Sequence, residues 1–223
     1  MWDPPMVAVF LRHPPHFLAT DNMFRSTLSR WFYRLIGAIP KSKDQPDIQA
    51  LASARRVASA GGVLAVFPEG RRTWDGRTLA LHPSTSRLPR LLGTPVVAVD
   101  IDGGYLSRPR WARRGRRGRI VLRYSQIAGR AEARATPVDE IERRISEALE
   151  RDADRAQERC PVRYTGRNLA EHIELFLVVC PCGAFGSFRS RDDAFWCHAC
   201  GRRGRFTEWG RMEGFEFTTV SEA

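Results

Sequence analysis

Apolar residues recur along this chain in two rhythms. Short continuous runs predict strands: His16-Phe17-Leu18-Ala19 after Pro14-Pro15, residues 63–67 after Gly61-Gly62, and residues 95–101. The second and third runs read as buried strands, and residues 120–124 add a later one. Between them the spacing is helical. Phe24, Leu28, Trp31, Phe32 and Leu35 predict a helix capped by Asn22 and ended by Gly37. Ile48, Leu51 and Val57 predict the inner face of a second helix over about residues 46–60, and Leu88, Leu91 and Leu92 a third, stopped at Gly93. Thr136-Pro137-Val138-Asp139 is a strong helix start, with Ile141, Ile145 and Leu149 on one face of a segment closing near Arg159. This alternation predicts an α/β domain, a mostly parallel sheet flanked by helices, without internal repeats.

Composition sharpens the picture. A hydrophobic fraction of 43% over 223 residues supplies a core for one medium domain plus a small appendage, and 27% charged residues argue against disorder. The net charge is +11, and Lys41 and Lys43 are the only lysines, so the basic surface is almost wholly guanidinium. It should attract anions such as phospholipid headgroups, coenzyme A phosphates or nucleic acid. No run approaches the length of a membrane span, and Asp3, Arg12 and His13 interrupt any early signal-like segment. Four of the five cysteines crowd between Cys180 and Cys200, which points to metal rather than disulfides.

The richest chemistry lies where the second apolar run ends, at Phe67-Pro68-Glu69-Gly70-Arg71-Arg72-Thr73. Glycine allows close backbone approach, and arginine offers a planar fork of donors suited to phosphate. This stretch resembles the Phe-Pro-Glu-Gly-Thr-Arg-Ser box of the glycerolipid acyltransferases, the family that includes lysophosphatidic acid acyltransferase. Pro95-Val96-Val97-Ala98-Val99 is similar to the family's later Val-Pro-Val-Val-Pro-Val strand. Phe17-Leu18-Ala19 with Met23-Phe24 is similar to its Phe-Leu-Ala-Lys-x-Glu-Leu-Phe segment, and Arg34-Leu35-Ile36-Gly37-Ala38-Ile39-Pro40 to its Leu-Gly-x-Ile-Pro turn. Gly103-Gly104-Tyr105-Leu106 and Pro109-Arg110-Trp111-Ala112 resemble a bacterial subgroup with a cysteine-rich tail.

The resemblance implies transfer of a fatty acyl group from acyl-CoA or acyl carrier protein to a lysophosphatidate-like acceptor in phospholipid biosynthesis. It implies that Glu69, Gly70 and Arg72 hold the acceptor phosphate, with Glu69 positioning an arginine or a loop amide. The family's general base is the histidine of a His-x4-Asp motif. Asp3-Pro4-Pro5 resembles the end of that motif, which makes Asp3 the orienting aspartate and puts the histidine three positions ahead of Met1. On this expectation the chain as written lacks its base and first strand and is a fragment, a mis-called start or a binding-only relative; the alternative functions are a basic zinc-ribbon nucleic-acid-binding protein and a non-catalytic lipid-binding relative. His16 and Asp21 match the spacing literally but fall inside the Phe-Leu-Ala segment. Arg71 replaces the family's threonine, and Leu81-His82-Pro83-Ser84 its Phe-Lys-Lys-Gly stretch, leaving His82 either a substitute contact or a solvent-facing side chain.

Ten arginines and a single acid, Glu132, lie between Arg108 and Arg134, with Trp111 among them. That composition suits a bilayer interface, RNA or a solvated loop. An anionic membrane is the expected partner rather than nucleic acid, on the cytoplasmic inner face. Cys180-Pro181-Cys182 and Cys197-His198-Ala199-Cys200, each followed by glycine, resemble a zinc ribbon. The first knuckle is one residue short, and Cys160, His172 or His198 are substitute ligands. The metal is structural. The expected division is an acyltransferase domain over residues 1–159 and a tail over 160–223, with the ribbon at about 178–209.

Overall fold

The computed structural model describes residues 3–20, 24, 26–42 and 47–223. Asp21, Asn22, Met23 and Pro46 lie outside the described residues. The chain forms two compact units, each assembled from separated segments. One comprises residues 1–71, 81–99 and 124–148; the other comprises residues 72–80, 100–123 and 149–223. Among the described residues no helix is long and apolar enough to cross a membrane.

The first unit begins with α1 (Asp3–Val9) and is built on a three-stranded sheet. Strand β1 (His16–Thr20) is central, with β2 (Ile39–Lys41) and β3 (Leu64–Ala65) on either side and both pairings parallel. Parallel neighbours need crossover helices, and α2 (Thr27–Leu35) and α3 (Ile48–Ser59) supply them. The expected strand at 63–67 is only two residues long and half-buried, and Phe67 is 37% exposed.

Helix α2 starts at Ser26, whose hydroxyl accepts the Ser29 N–H at 3.1 Å while the Ser29 hydroxyl accepts the Ser26 N–H at 3.2 Å. The spaced apolar positions share a face as expected, but that face is uncovered: Leu28, Trp31, Phe32 and Leu35 are all exposed. Helix α3 is capped by Asp47, which accepts the Ala50 N–H at 2.8 Å. Its buried residues are Ala50 and Ala54, whereas Ile48 points out at 81% exposure. Small residues let α3 lie close to the sheet, which corrects the expected inner face of Ile48, Leu51 and Val57.

Helix α4 (Ser84–Leu92) stops at Gly93, whose φ of 60° is left-handed; a Cβ there would meet the Arg134 guanidinium. Strands β4 (Val96–Asp102) and β5 (Val121–Ala128) pair with each other, and the division between the units passes through both. Strand β4 is half-buried rather than buried, with Val97 52% exposed. Then come α5 (Gly104–Ser107), α6 (Arg130–Ala135), α7 (Val138–Leu149) with Ile141 and Ile145 buried, and a separate α8 (Ala153–Arg159) capped by Asp152.

The second unit has its core around a four-stranded antiparallel sheet: β6 (Phe188–Arg191), β7 (Ala194–Cys197), β8 (Arg203–Phe206) and β9 (Met212–Glu213). Phe188, Phe195 and Phe206 face inward with at most 1% exposure. Trp111, expected at a bilayer interface, is instead 2% exposed in this core, edge-on to Phe206 at 5.2 Å. Arg116 is buried with it. Its guanidinium lies 5.1 Å from the Trp111 ring and 4.6 Å from the Phe206 ring, and it donates to the Leu169 carbonyl at 2.7 Å. Burial lowers its pKa to about 10, which still leaves it cationic at neutral pH. The arginine-rich segment is therefore not a uniform surface belt, because part of it is core. Arg116→Ala should destabilise the second unit by about 2–3 kcal/mol, by removing a charged hydrogen bond and the packing on both rings. Chemical denaturation followed through Trp111 burial checks this.

Candidate functional site

Phe67-Pro68-Glu69-Gly70 closes a turn in which the Gly70 N–H donates to the Phe67 carbonyl at 3.1 Å. Pro68 occupies the position where its fixed φ favours turning. Gly70 has a φ of 65°, and a Cβ built there meets nothing within 4 Å. Glycine is thus required by backbone conformation, while the space beside it is open to a ligand. Phe67 stacks on Phe17 of β1 with centroids 6.1 Å apart, and the Pro68 carbonyl accepts the His82 N–H at 2.8 Å. These contacts hold the turn from both sides. Glu69 is half-buried on it. The His82 side chain is exposed and bonded to the Ser84 hydroxyl at 2.8 Å, in keeping with the solvent-facing alternative.

Arg72 belongs to the second unit. One of its terminal nitrogens donates to the Arg108 carbonyl, and the Arg72 carbonyl accepts from Arg110 at 2.7 Å. The Arg110 guanidinium in turn covers the Trp74 ring at 4.3 Å. Thr73 caps the next turn: its hydroxyl donates to Asp75 at 2.6 Å and accepts the Gly76 N–H at 3.2 Å. Neither Arg108 nor Arg110 was visible in the motif, because both lie far along the chain.

Asp3 is in the first turn of α1, where a carboxylate complements the helix N-terminus. His16 has a structural task. Its Nδ1 lies 2.9 Å from the Gly37 carbonyl, and because a carbonyl only accepts, Nδ1 carries the proton. The ring also packs against Gly37, whose φ is 71°. Asp21, its partner in the literal motif, is outside the described residues.

In the tail, the four Sγ atoms of Cys180, Cys182, Cys197 and Cys200 lie within 4.8 Å of one another. The second knuckle closes through the Gly201 N–H to the Cys197 carbonyl at 2.9 Å, the first through the Gly183 N–H to the Cys180 carbonyl at 2.8 Å. The first turn is tighter by one residue, and this absorbs the missing position of Cys-x-Cys. Both glycines have positive φ, 88° and 74°. The Ser187 hydroxyl, then the Cys200 backbone amide, stabilise the Cys197 thiolate and lower its pKa to about 6. Burial pushes the neighbouring Cys180 thiol the other way, up to about 12, so it is the convergence of four sulfurs that fits a thiophilic metal. Cys160 lies outside this group, 3.1 Å from an Arg119 nitrogen, and neither His172 nor His198 joins it.

Residues 1–102 match the protein-family model described as Acyltransferase. A crystal structure of the 1-acyl-sn-glycerophosphate (LPA) acyltransferase PlsC from Thermotoga maritima is similar over 69% of this chain, at 17% sequence identity and a TM-score of 0.47. The match spans 59% of that protein. The matched segment takes in α1, the parallel sheet, the Gly70 turn and β4.

Two outcomes are expected. Gly70→Ala should cost about 1 kcal/mol through its positive φ without any steric clash, measurable by thermal unfolding. Elemental analysis should find one metal ion per chain, and Cys197→Ser should reduce this to well under half.

Proposed function

We propose that this chain is a glycerolipid acyltransferase of the lysophosphatidate type, drawing on acyl-CoA or acyl carrier protein. The carrying observation is the Gly70 turn: a backbone corner with open space beside it, in a segment that matches the acyltransferase family. In this reading Gly70 and Arg72 receive the acceptor phosphate, Arg72 making the charge-assisted contact, and Glu69 holds an arginine or a loop amide in place. The acceptor hydroxyl oxygen attacks the thioester carbonyl, the C–O bond forms, the C–S bond breaks, and the thiol leaves with the proton. Asp3 orients the imidazole that takes the hydroxyl proton. The domain bounds proposed are 1–159 for acyl transfer and 160–223 for the tail. In the tail Cys180, Cys182, Cys197 and Cys200 hold zinc, whose role is to join the two hairpins, since four thiolates leave no open coordination position.

The proposed location is peripheral, on the inner face of the cytoplasmic membrane. Support comes from α2 rather than from Trp111. Leu28, Trp31 and Leu35 form one stripe exposed by 77%, 63% and 68%, and Arg30 and Arg34 lie on the polar side of the same helix. Such a helix suits the headgroup boundary of an anionic bilayer.

Arg72→Ala should lower acceptor-dependent thioester cleavage by about 10- to 100-fold, the worth of a charged hydrogen bond. Arg72→Lys should restore part of it. Unchanged acceptor dependence in a folded Arg72→Ala variant would refute the assignment. Trp31→Glu with Leu35→Glu should weaken sedimentation with anionic vesicles by at least about tenfold, by removing two buried apolar side chains.

A further inference from the structure

The ribbon sheet has a second face. Its inner side is Phe188, Phe195, Cys197 and Phe206, so side-chain alternation sends the intervening residues outward. The register aligns these in two rows. Arg189 pairs with Trp196, and Trp196 with Arg203; Arg191 pairs with Ala194, and Ala194 with Arg205. Strand β7 therefore carries Trp196 and Ala194 down the middle, and four arginines stand at the corners. Strand spacing puts those corners about 9.6 Å apart across the sheet and about 6.7 Å apart along it.

All four arginines are exposed and Trp196 is half-buried. The small Ala194 leaves an open depression of about 590 Å³, bounded by Arg191, Asp193, Trp196, Arg203 and Arg205. The carboxylates nearby do little to cancel this charge. Asp193 is spent inward, accepting the Leu169 N–H at 2.7 Å. Asp192 lies 3.9 Å from Arg191 with both side chains largely exposed, and Glu213 sits opposite Arg205 at the sheet edge.

We propose that this outer face binds single-stranded nucleic acid, with a base stacked on Trp196 and the flanking phosphates held by Arg189, Arg191, Arg203 and Arg205. An indole bracketed by guanidiniums on both neighbouring strands supplies the two things an unpaired strand offers, a base face and a line of charge. Duplex does not suit the face, because its bases are already stacked. A bilayer suits it less, because lipid contact needs projecting apolar side chains, and here the aromatic ring lies recessed among charges. The proposal is independent of the acyl-transfer reading.

The test uses the full 223-residue chain, metal-loaded, and a fluorescent oligouridylate of about 12 nucleotides read by anisotropy across a salt titration. Binding should strengthen with oligonucleotide length and exceed that of a matching duplex. Trp196→Ala should weaken it about tenfold or more, and Trp196→Phe, which keeps a stacking ring, should retain most of it. Arg203→Ala with Arg205→Ala should reduce the slope of log K against log salt by about 1.4, which is about 0.7 for each phosphate no longer neutralised. Retained metal content shows that each variant ribbon is folded. Absence of binding, binding indifferent to these substitutions, equal affinity for coenzyme A alone, or capture by anionic vesicles without oligonucleotide binding would each overturn the proposal.

Discussion

A guanidinium buried between two aromatic rings sets the terms for the second half of this chain. Arg116 contacts Trp111 and Phe206 and donates to the Leu169 carbonyl. It thereby joins the arginine-rich segment after α5, the approach to the ribbon and the ribbon sheet itself. A buried charge is tolerated only when its donors are used and its faces are covered. Those requirements fit the burial of Trp111 and the packing of residues around Arg116 with the tail.

Arg72 lies in the same unit as this core. The chain leaves the parallel-sheet unit at Arg71 and enters the ribbon-bearing unit at Arg72, and the motif residues straddle this point. Glu69 and Gly70 are positioned by a turn that β1 and the His82 loop hold in place. Arg72 is positioned by the Arg108 carbonyl and by Arg110, which is itself held over Trp74.

Much of this was legible in the sequence. The β1 run, the stop of α4 at Gly93, the start of α7 and the four clustered cysteines all follow from local chemistry, and local chemistry is what a sequence displays. Periodicity failed where the outcome depended on a partner. The spacing of Leu28, Trp31 and Leu35 fixes that they share a face, but nothing in α2 says whether that face is covered. On α3 the sheet is approached by Ala50 and Ala54, and small residues make no apolar signal beside Ile48. Trp111 among arginines looked like surface because the sequence does not show that Phe206, nearly a hundred residues later, receives it. Near Asp3 the reading rested on resemblance.

The two cysteine hairpins differ in length yet share one arrangement of access. Each contributes one buried sulfur, Cys180 or Cys197, and one exposed, Cys182 or Cys200. The buried sulfur of each lies beside the exposed sulfur of the other, at 3.9 and 3.8 Å. Water reaches the cluster through one sulfur from either hairpin. A chelator or oxidant arriving from solvent can therefore meet either hairpin first, and each exposed sulfur it reaches is the neighbour of a buried sulfur on the other hairpin.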